Sequence, residues 1–224
     1  MANLVNQFFL VAAHGNFFGF GPALIVCGEM LYINNRKSAG GACFSINIDM
    51  NNFDKNWRNA KVDIFRLEGR PEYKVVGEGE HIAKWKKGEL NMAADKNWQS
   101  WMKSLKSAKA KKVAVQRLRV VPNPLPDYIK FEIALWQKYS VVNGEKIRFI
   151  NTKDYQGIVR EYGFDPKDFW LFDDEKLLMF NYGTAGQFLG DIAITDGAMV
   201  RRYCDLKQKL LEKSVPMASF VGKM

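Results

Sequence analysis

The stretch VAVQRLRVVPNPLPDYIKFE, residues 113–132, contains a predicted strand, a break and the start of a predicted helix. Residues 113–121 are rich in valine, which favours a strand. Successive side chains of a strand point to opposite faces, so Arg117 and Arg119 lie together on one face. The strand therefore presents two guanidinium groups to the element that packs on that face.

A helix is predicted directly after three prolines in residues 122–126. The prolines end the strand, because proline lacks a backbone N–H for the ladder. Asp127 is the natural N-cap, since its carboxylate can accept hydrogen bonds from the first free N–H groups of the helix. The pair Asn143-Gly144 predicts the end of the helix.

Glu132 is the exception on the apolar side of this helix. With about 100° per residue, one broad arc contains the apolar and aromatic residues of the helix, and Glu132 projects near its middle. An ionised carboxylate there needs a partner or keeps its proton. We therefore predict a Glu132–Arg pair, and we favour Arg119 over Arg117 because it lies closer to the helix. The pair either fixes the helix on the sheet or lines a ligand pocket that also contains Tyr128, with Trp170 as a wall.

The pattern on either side of this stretch predicts an α/β (α+β) fold, a mixed sheet with packed helices. Residues 62–67 form a predicted strand, and two helices are predicted over 79–90 and 97–112. In the C-terminal half the predicted order is β-α-β-α-β-β-β-α. Its elements are strands at 113–121, 145–150, 168–172, 176–182 and 187–194, and helices starting at 127, 154 and 196.

The acidic cluster at residues 173–175 stands between two apolar runs, which is typical of a short turn. A catalytic interpretation is the alternative. Pro126-Asp127 with Asp174-Glu175-Lys176 matches the Pro-Asp…Asp-x-Lys pattern of metal-dependent nucleases. In those enzymes two carboxylates and a lysine converge on Mg²⁺. The alternative therefore requires Asp127 and Asp174 to approach each other.

Residues 1–52 differ in composition from the rest of the chain. They contain four formally charged residues and a run of closely spaced phenylalanines. The apolar stretch 8–26 approaches the length of a membrane span, but His14, Pro22 and three glycines interrupt it. We therefore predict no membrane partner, an apolar N-terminal extension over 1–52 and a single α/β domain over 53–224. Residues 28–35 and 43–50 alternate well enough to predict strands.

Cysteine and histidine are too few and too scattered for most catalytic and metal sites. Cys27, Cys43 and Cys204 are an odd number without metal-ligand spacing, which suits a reducing compartment such as the cytoplasm. His14 and His81 are the only histidines, and neither lies in the context of a Ser-His-Asp or Cys-His site. The sequence therefore predicts no metal site and no cofactor.

The positive charge of the chain is concentrated in one segment. Residues 81–120 contain eleven Lys and Arg against two acidic residues, so this segment accounts for the whole net charge of +9. The basic segment 84–119 could meet a phosphate backbone or an acidic partner. Its exposed patch would consist of Lys103, Lys106, Lys109, Lys111 and Lys112. The alternative is a lysine-rich helix face in contact with solvent.

Ordered motifs occur over residues 53–221: Phe-Arg-Leu-Glu at 65–68, Arg-x-Arg-Val-Val at 117–121, Pro-Leu-x-Asp-Tyr at 124–128, Phe-Glu at 131–132 and Asp-Phe-Trp-Leu-Phe-Asp-Asp at 168–174. Together they resemble a bacterial family of uncharacterised domains whose genes often neighbour helix-turn-helix transcription regulators. Pro122 departs from the pattern, because that family usually has a small polar residue there. The strand order of residues 113–224 is also similar to one half of a phospholipase-D-type fold. Phospholipase-D chemistry needs a histidine nucleophile, and no histidine follows His81.

These observations favour a non-enzymatic regulatory or interaction module that acts with a helix-turn-helix transcription regulator and senses a small ligand. The ligand pocket would contain Arg117, Arg119, Tyr128, Glu132 and Trp170. A metal-dependent nuclease, or another nucleic-acid-processing enzyme, with Asp127, Asp174 and Lys176 is the first alternative. Direct nucleic-acid binding through the basic segment 84–119 is the second.

Overall fold

A computed structural model describes residues 24–26, 29–31, 52–75, 77–163, 167–183 and 186–222. The predicted strand at 43–50, His14, Cys27 and Cys43 lie outside these residues, as does most of the apolar stretch 8–26. The chain divides into two compact units, Met1–Cys43 and Phe44–Met224. The division into 1–52 and 53–224 stays a prediction.

The first unit contains a short antiparallel pair, β1 (Leu24–Val26) and β2 (Glu29–Leu31). The second unit contains one mixed sheet with helices on both faces. Its elements in chain order are α1 (Asn52–Asn59), β3 (Asp63–Glu68), α2 (Glu78–Lys86), α3 (Lys96–Ala110), β4 (Ala114–Val121), α4 (Asp127–Leu135), β5 (Glu145–Asn151), α5 (Thr152–Tyr162), β6 (Phe169–Phe172), β7 (Lys176–Tyr182), β8 (Phe188–Ile194), α6 (Gly197–Lys213), β9 (Val215–Pro216) and α7 (Met217–Val221).

The sheet of the second unit has the strand order β8-β7-β6-β3-β4-β5-β9. Strands β3, β4 and β5 run parallel at its centre, and the remaining pairs are antiparallel. The order from β4 to α6 confirms the predicted β-α-β-α-β-β-β-α order and the α/β fold.

Helices cover both faces of this sheet, so each face supplies part of the core. Helices α5 and α6 pack on one face, against a cluster that includes Phe65 and Leu118. Helices α1 and α3 pack on the other face, against Ile64 and Val115. Helices α2, α4 and α7 pack beside them, against a cluster that includes Phe149. Charged residues on the central strands are therefore buried even where they alternate with apolar ones.

The ends of most helices follow local rules. Asp95 and Asp196 cap α3 and α6, because their side chains accept hydrogen bonds from the N–H groups of Trp98 and Met199. The α4 segment continues as a π-helical turn, Trp136–Ser140, and a 3₁₀ turn, and it ends at Gly144 with φ of 103°. Glycine adopts this left-handed conformation without the steric cost of a Cβ, so the predicted helix end is confirmed.

The predicted N-cap role of Asp127 is wrong by one residue. Pro126 occupies the N-cap with φ of −65° and an extended ψ, and no side chain caps this helix end. Asp127 is the first helical residue, and its carboxylate instead lies 2.9 Å from Lys86 Nζ and 3.3 Å from Lys130 Nζ. The proline fixes the backbone that the cap requires, so the aspartate is free to face outward.

Among the described residues, no helix combines the length and the apolar character needed to cross a membrane.

Candidate functional site

Two neighbouring strands present four charged side chains on the same face of the sheet. The parallel register pairs Arg66 of β3 with Arg117 of β4, and Glu68 with Arg119. Side chains two residues apart on a strand share a face. Because α3 and α4 cover this face, Glu68, Arg117 and Arg119 are buried. Their ionisation states therefore depend on how these charges pair with one another.

Glu68 lies between two arginines. Its Oε1 is 2.6 Å from Arg66 Nη2, and its Oε2 is 2.7 Å from Arg117 Nη1. Arg117 also donates a hydrogen bond of 2.7 Å from Nε to Oε1 of Glu145, at the start of β5. Burial alone would raise the pKa of Glu68, but the charges of Arg117, Arg66 and the nearby Arg119 lower it to about 2. Glu68 is therefore an anion at any physiological pH.

The predicted Glu132–Arg119 pair is confirmed. Arg119 Nε donates to Glu132 Oε2 at 2.9 Å, and Arg119 is completely buried. Its other guanidinium nitrogens donate to the backbone carbonyls of Glu68, Arg70 and Pro71. Burial raises the pKa of Glu132 to about 7, although the positive charge of Arg119 opposes this rise. Glu132 therefore differs from Glu68, because it can gain or lose a proton near neutral pH.

Two tyrosines hold further carboxyl groups beside this network. Tyr73 donates its hydroxyl hydrogen to Asp168, which also accepts a 2.7 Å hydrogen bond from the N–H of Gly69. Tyr128 donates at 2.8 Å to Glu78. Burial is the largest cause of the raised pKa of both Asp168 and Glu78.

A cleft of about 420 Å³ opens above the charged strands. Its volume is within the range of roughly 300–1,000 Å³ that is usual for small-molecule sites. The floor comes from the sheet, and the other sides come from α3, α4 and the segment after β3. The lining residues are Arg66, Glu68, Tyr73, Lys74, Val75, Glu78, Asn97, Trp98, Trp101, Arg117, Tyr128, Glu132, Leu135, Trp136, Phe180, Tyr182, Gly186 and Phe188.

Aromatic side chains make up much of the cleft wall, and three of them lie over the arginines of the floor. The Arg117 guanidinium lies 5.1 Å from the ring centre of Trp136, and that of Arg66 lies 5.9 Å from the ring centre of Phe180. Trp136 begins the π-helical turn, a feature that is frequent at functional sites. The cleft therefore combines flat apolar walls with a fixed charged floor.

Three of the predicted pocket residues line this cleft and two do not. Arg117, Tyr128 and Glu132 are part of its surface. Arg119 lies beneath the floor, without solvent exposure. Trp170 is not a wall of the cleft. It is 2% exposed and lies behind Arg66, whose guanidinium is 5.0 Å from its ring centre, because the sheet pairs these two residues across neighbouring strands.

The acidic cluster forms the turn between β6 and β7, as predicted. Asp173 and Asp174 both adopt the left-handed conformation, with φ of 55° and 54°. The Asp173 carboxylate accepts hydrogen bonds of 2.8–3.1 Å from the backbone N–H groups of Lys61, Val62 and Asp63. Its role in the structure is to hold the chain entering β3 against this turn.

The residues of the nuclease alternative are far apart in the fold. Asp174, in the turn between β6 and β7, lies close in space to Asp63, the first residue of β3. Lys207 Nζ contacts both carboxylates, Asp63 at 2.6 Å and Asp174 at 2.7 Å. Asp127 begins the helix that follows the opposite end of β4. The eight residues of β4 span about 26 Å. Lys176 is exposed, and no group of three or more potential metal-binding side chains occurs in the part of the chain that the structure describes.

The lysines of the predicted basic patch lie on and just after α3. Lys103, Lys106, Lys109, Lys111 and Lys112 are all exposed. The apolar side of the same helix, with Leu105 and Ala108 buried, packs on the sheet. Helix α3 contains no acidic residue.

Sequence reasoning missed Arg66, Glu68, Tyr73 and Glu145 as members of the charged network. The signal was present in residues 65–68, where charged and apolar side chains alternate as they do at Arg117 and Arg119. Alternation usually indicates a solvent-exposed face. Here helices cover that face, and only the pairing of β3 with β4 and β5 shows which charges meet.

Comparison with known proteins identifies a family but no curated relative. No curated protein matches the chain. A family model described as a domain of unknown function, DUF6879, matches residues 51–222, which include every element of the mixed sheet, the cleft and the charged network. The chain therefore belongs to the DUF6879 family of domains of unknown function.

Proposed function

We propose that this protein is a non-enzymatic regulatory module that binds a small organic ligand in the cleft. The observation that carries the proposal is the combination of aromatic walls with buried, paired charges on the floor. Ligand sites are typically apolar clefts with a few fixed polar groups that orient the ligand. Buried ion pairs are commonly no more stabilising than apolar replacements, so a binding role accounts for charges that stability alone does not require.

The partner that we propose is a helix-turn-helix transcription regulator in the bacterial cytoplasm. Support comes from the motifs at 65–68, 117–121 and 168–174, which resemble a bacterial family encoded beside such regulators. In the mechanism that we propose, ligand binding changes the affinity between the two proteins. A conformational coupling of this kind requires that the ligand bind free and partner-bound protein with different affinities.

A thermal-shift screen with a library of metabolite-sized compounds tests the ligand site. We expect at least one compound to raise the melting temperature of the wild-type protein, because binding to the native state stabilises it. Val75 lines the cleft and is 55% exposed, so Val75→Trp can block the cleft without disturbing the core. Val62 is 67% exposed and does not line the cleft, which makes Val62→Trp the matched control.

The proposal predicts that active compounds stabilise the wild-type protein and Val62→Trp but not Val75→Trp. Compounds that stabilise all three proteins equally would contradict a site in the cleft. Affinity purification of the tagged protein from nuclease-treated lysate of its native cells tests the partner. Recovery of a helix-turn-helix protein in a near-stoichiometric amount is the expected result, and its absence would contradict the proposed partner.

Direct nucleic-acid binding is a second candidate, favoured by the five exposed lysines at positions 103–112 and by the absence of acidic residues from α3. If all five contact duplex phosphates, the logarithm of the affinity falls with the logarithm of salt concentration with a slope of about −4.5. Fluorescence anisotropy with a labelled duplex measures this slope. A slope near zero would exclude binding through these lysines. In the double variant Lys103→Gln, Lys106→Gln, the slope should become less negative by about two.

A further inference from the structure

We infer that the ligand of the cleft is a planar aromatic anion, whose ring lies against the aromatic walls and whose carboxylate or other acidic group binds Arg66. This inference rests on the proposed function, because it specifies the chemistry of the same site. It follows from the exposure of the three arginines, the arrangement of the rings and the partners of the carboxylates.

Arg66 is the arginine of the floor that a ligand can reach. Its side chain is 21% exposed, whereas that of Arg117 is 6% exposed and that of Arg119 is 0% exposed. Among the described residues, Arg66 forms one ion pair, through Nη2 to Glu68. Because this ion pair uses Nη2, the exposed part of the Arg66 guanidinium can still donate hydrogen bonds to an anionic group such as a carboxylate or a phosphate.

The rings of the cleft come from two parts of the fold. Trp98 and Trp101 of α3 and Trp136 after α4 line one part, while Phe180 and Phe188 of the β7–β8 hairpin line another. Flat side chains bury a planar ligand with large contact area and little loss of side-chain entropy. A planar ring is therefore the shape that these walls favour.

The electrostatics of the cleft favour an anion near neutral pH. Arg66, Lys74 and Arg117 line it as cations, and Glu68, Glu78 and Glu132 are its carboxyl groups. Glu68 stays ionised, but burial raises the pKa of Glu132 to about 7 and also raises that of Glu78. Protonation of Glu132 near pH 7 therefore leaves a net positive charge among these six groups.

The carboxyl groups that line the cleft already have donors, which argues against a cationic ligand. Glu68 is paired with Arg66 and Arg117. Glu132 accepts from Arg119, and Glu78 accepts from Tyr128. An amine would share each of these carboxyl groups with a donor already in place, so it would gain less from them than from an unpaired carboxylate.

Three matched probes test the inference: naphthalene-2-carboxylate, 2-naphthamide and 2-naphthylmethylamine. They share one ring system and differ in the charge of the substituent. Isothermal titration calorimetry measures their binding to the full-length wild-type protein, Arg66→Gln, Lys74→Gln and Arg201→Gln. Arg201 is an exposed arginine on α6, on the opposite side of the sheet, so its variant controls for the loss of one positive charge.

We expect the carboxylate to bind the wild-type protein and Arg201→Gln about tenfold or more tightly than the amide, since a hydrogen bond to a charged group contributes this much. In Arg66→Gln the preference should fall to about twofold or less, while the affinity of the amide stays the same. Lys74 is exposed, so Lys74→Gln does not disturb the core. It should weaken the binding of the carboxylate probe and leave the binding of the other two probes unchanged. This variant keeps the test valid if Arg66→Gln fails to fold.

Amide or amine binding as tight as carboxylate binding would overturn the inference and leave the cleft as a ligand site. An unchanged preference in Arg66→Gln and Lys74→Gln would also overturn it. Failure of all three probes to bind would overturn the aromatic-anion assignment, whereas the proposed function is decided separately by the thermal-shift screen with Val75→Trp.

Discussion

Arg119 Nε donates a 2.9 Å hydrogen bond to Glu132 Oε2, and this bond joins the central strand β4 to helix α4 at the base of the cleft. The same guanidinium donates to three backbone carbonyls of the segment that follows β3. A single buried side chain therefore positions the helix that supplies Tyr128 and Trp136 and the segment that supplies Tyr73 and Lys74 to the cleft.

The first prediction concerns the loss of this guanidinium. We expect Arg119→Met to lower the free energy of unfolding by about 3–5 kcal/mol, because it leaves the Glu132 carboxyl buried without its cation. The double variant Arg119→Met, Glu132→Leu removes the stranded carboxyl as well and should recover part of the loss. Recovery should be incomplete, because the three backbone carbonyls still lack a donor.

Urea unfolding of the wild-type protein, both single variants and the double variant gives the coupling free energy. If the losses of the two single variants simply add in the double variant, the pair is not coupled and the structural account of Arg119 is wrong.

Strand alternation and helix periodicity were sufficient to predict the Arg119–Glu132 pair. Both patterns are local, and the two residues are only 13 positions apart. Arg117 and Glu68 could not be paired in this way, because they meet only when β3 and β4 form parallel neighbours in one register. That register depends on the crossover through α2 and α3, which sequence periodicity does not determine.

Trp170 shows a second limit of sequence reasoning. Its position on an apolar strand was predicted, but the strand order decides what covers it. Helices α1 and α3 place Phe53, Trp57 and Trp101 around its ring, so it is part of the core rather than of the cleft wall. Whether an aromatic ring is buried in the core or lines a ligand site therefore depends on packing between elements that are distant in sequence.

The second prediction concerns the pH dependence of stability. Burial raises the pKa of Glu132 from 4.5 to about 7 in the folded protein. The positive charges of Arg119 and Arg117 lower this pKa, and the negative charge of Glu68 raises it. The folded state thus holds this proton more tightly than the unfolded state. The stability from this group is fully present below about pH 4.5 and is lost as the pH rises through about 7.

A rise in pKa from 4.5 to about 7 corresponds to a loss of about 3 kcal/mol in the free energy of unfolding. In Glu132→Gln the titrating group is absent, so the variant should lack this component of the pH dependence. Urea unfolding of both proteins across this pH range measures the difference. A constant difference in free energy at every pH would show that Glu132 does not titrate in this window.

The third prediction concerns the acidic turn. Asp173 accepts backbone hydrogen bonds from three residues and has a positive φ. We expect Asp173→Ala to cost about 2–3 kcal/mol, because it removes charge-assisted hydrogen bonds and places alanine in a left-handed conformation. Asp173→Asn keeps an acceptor and tolerates that conformation, so its loss should be smaller.

Chemical denaturation of the two variants and the wild-type protein measures these costs. Equal stability of Asp173→Ala and the wild-type protein would contradict the assigned role of Asp173 in anchoring the entry to β3. Any change that these variants cause in ligand binding at the cleft should be within experimental error, since the turn does not line it.

The fourth prediction concerns the cleft itself, and it uses the six tryptophans of the chain as reporters. Trp98, Trp101 and Trp136 line the cleft, whereas Trp85 does not and packs against Phe131. Selective ¹⁵N labelling of tryptophan gives separate indole N–H signals. A ligand in the cleft should shift the signals of the three lining residues and leave that of Trp85 unchanged.

The indole spectrum during titration with a compound from the thermal-shift screen is the most direct test of a ligand site in this cleft. In the wild-type protein and Val62→Trp, we predict shifts confined to the signals of Trp98, Trp101, Trp136 and their neighbours. In Val75→Trp we predict that these shifts are lost. Shifts of Trp85 alone, or equal shifts in all three proteins, would contradict it.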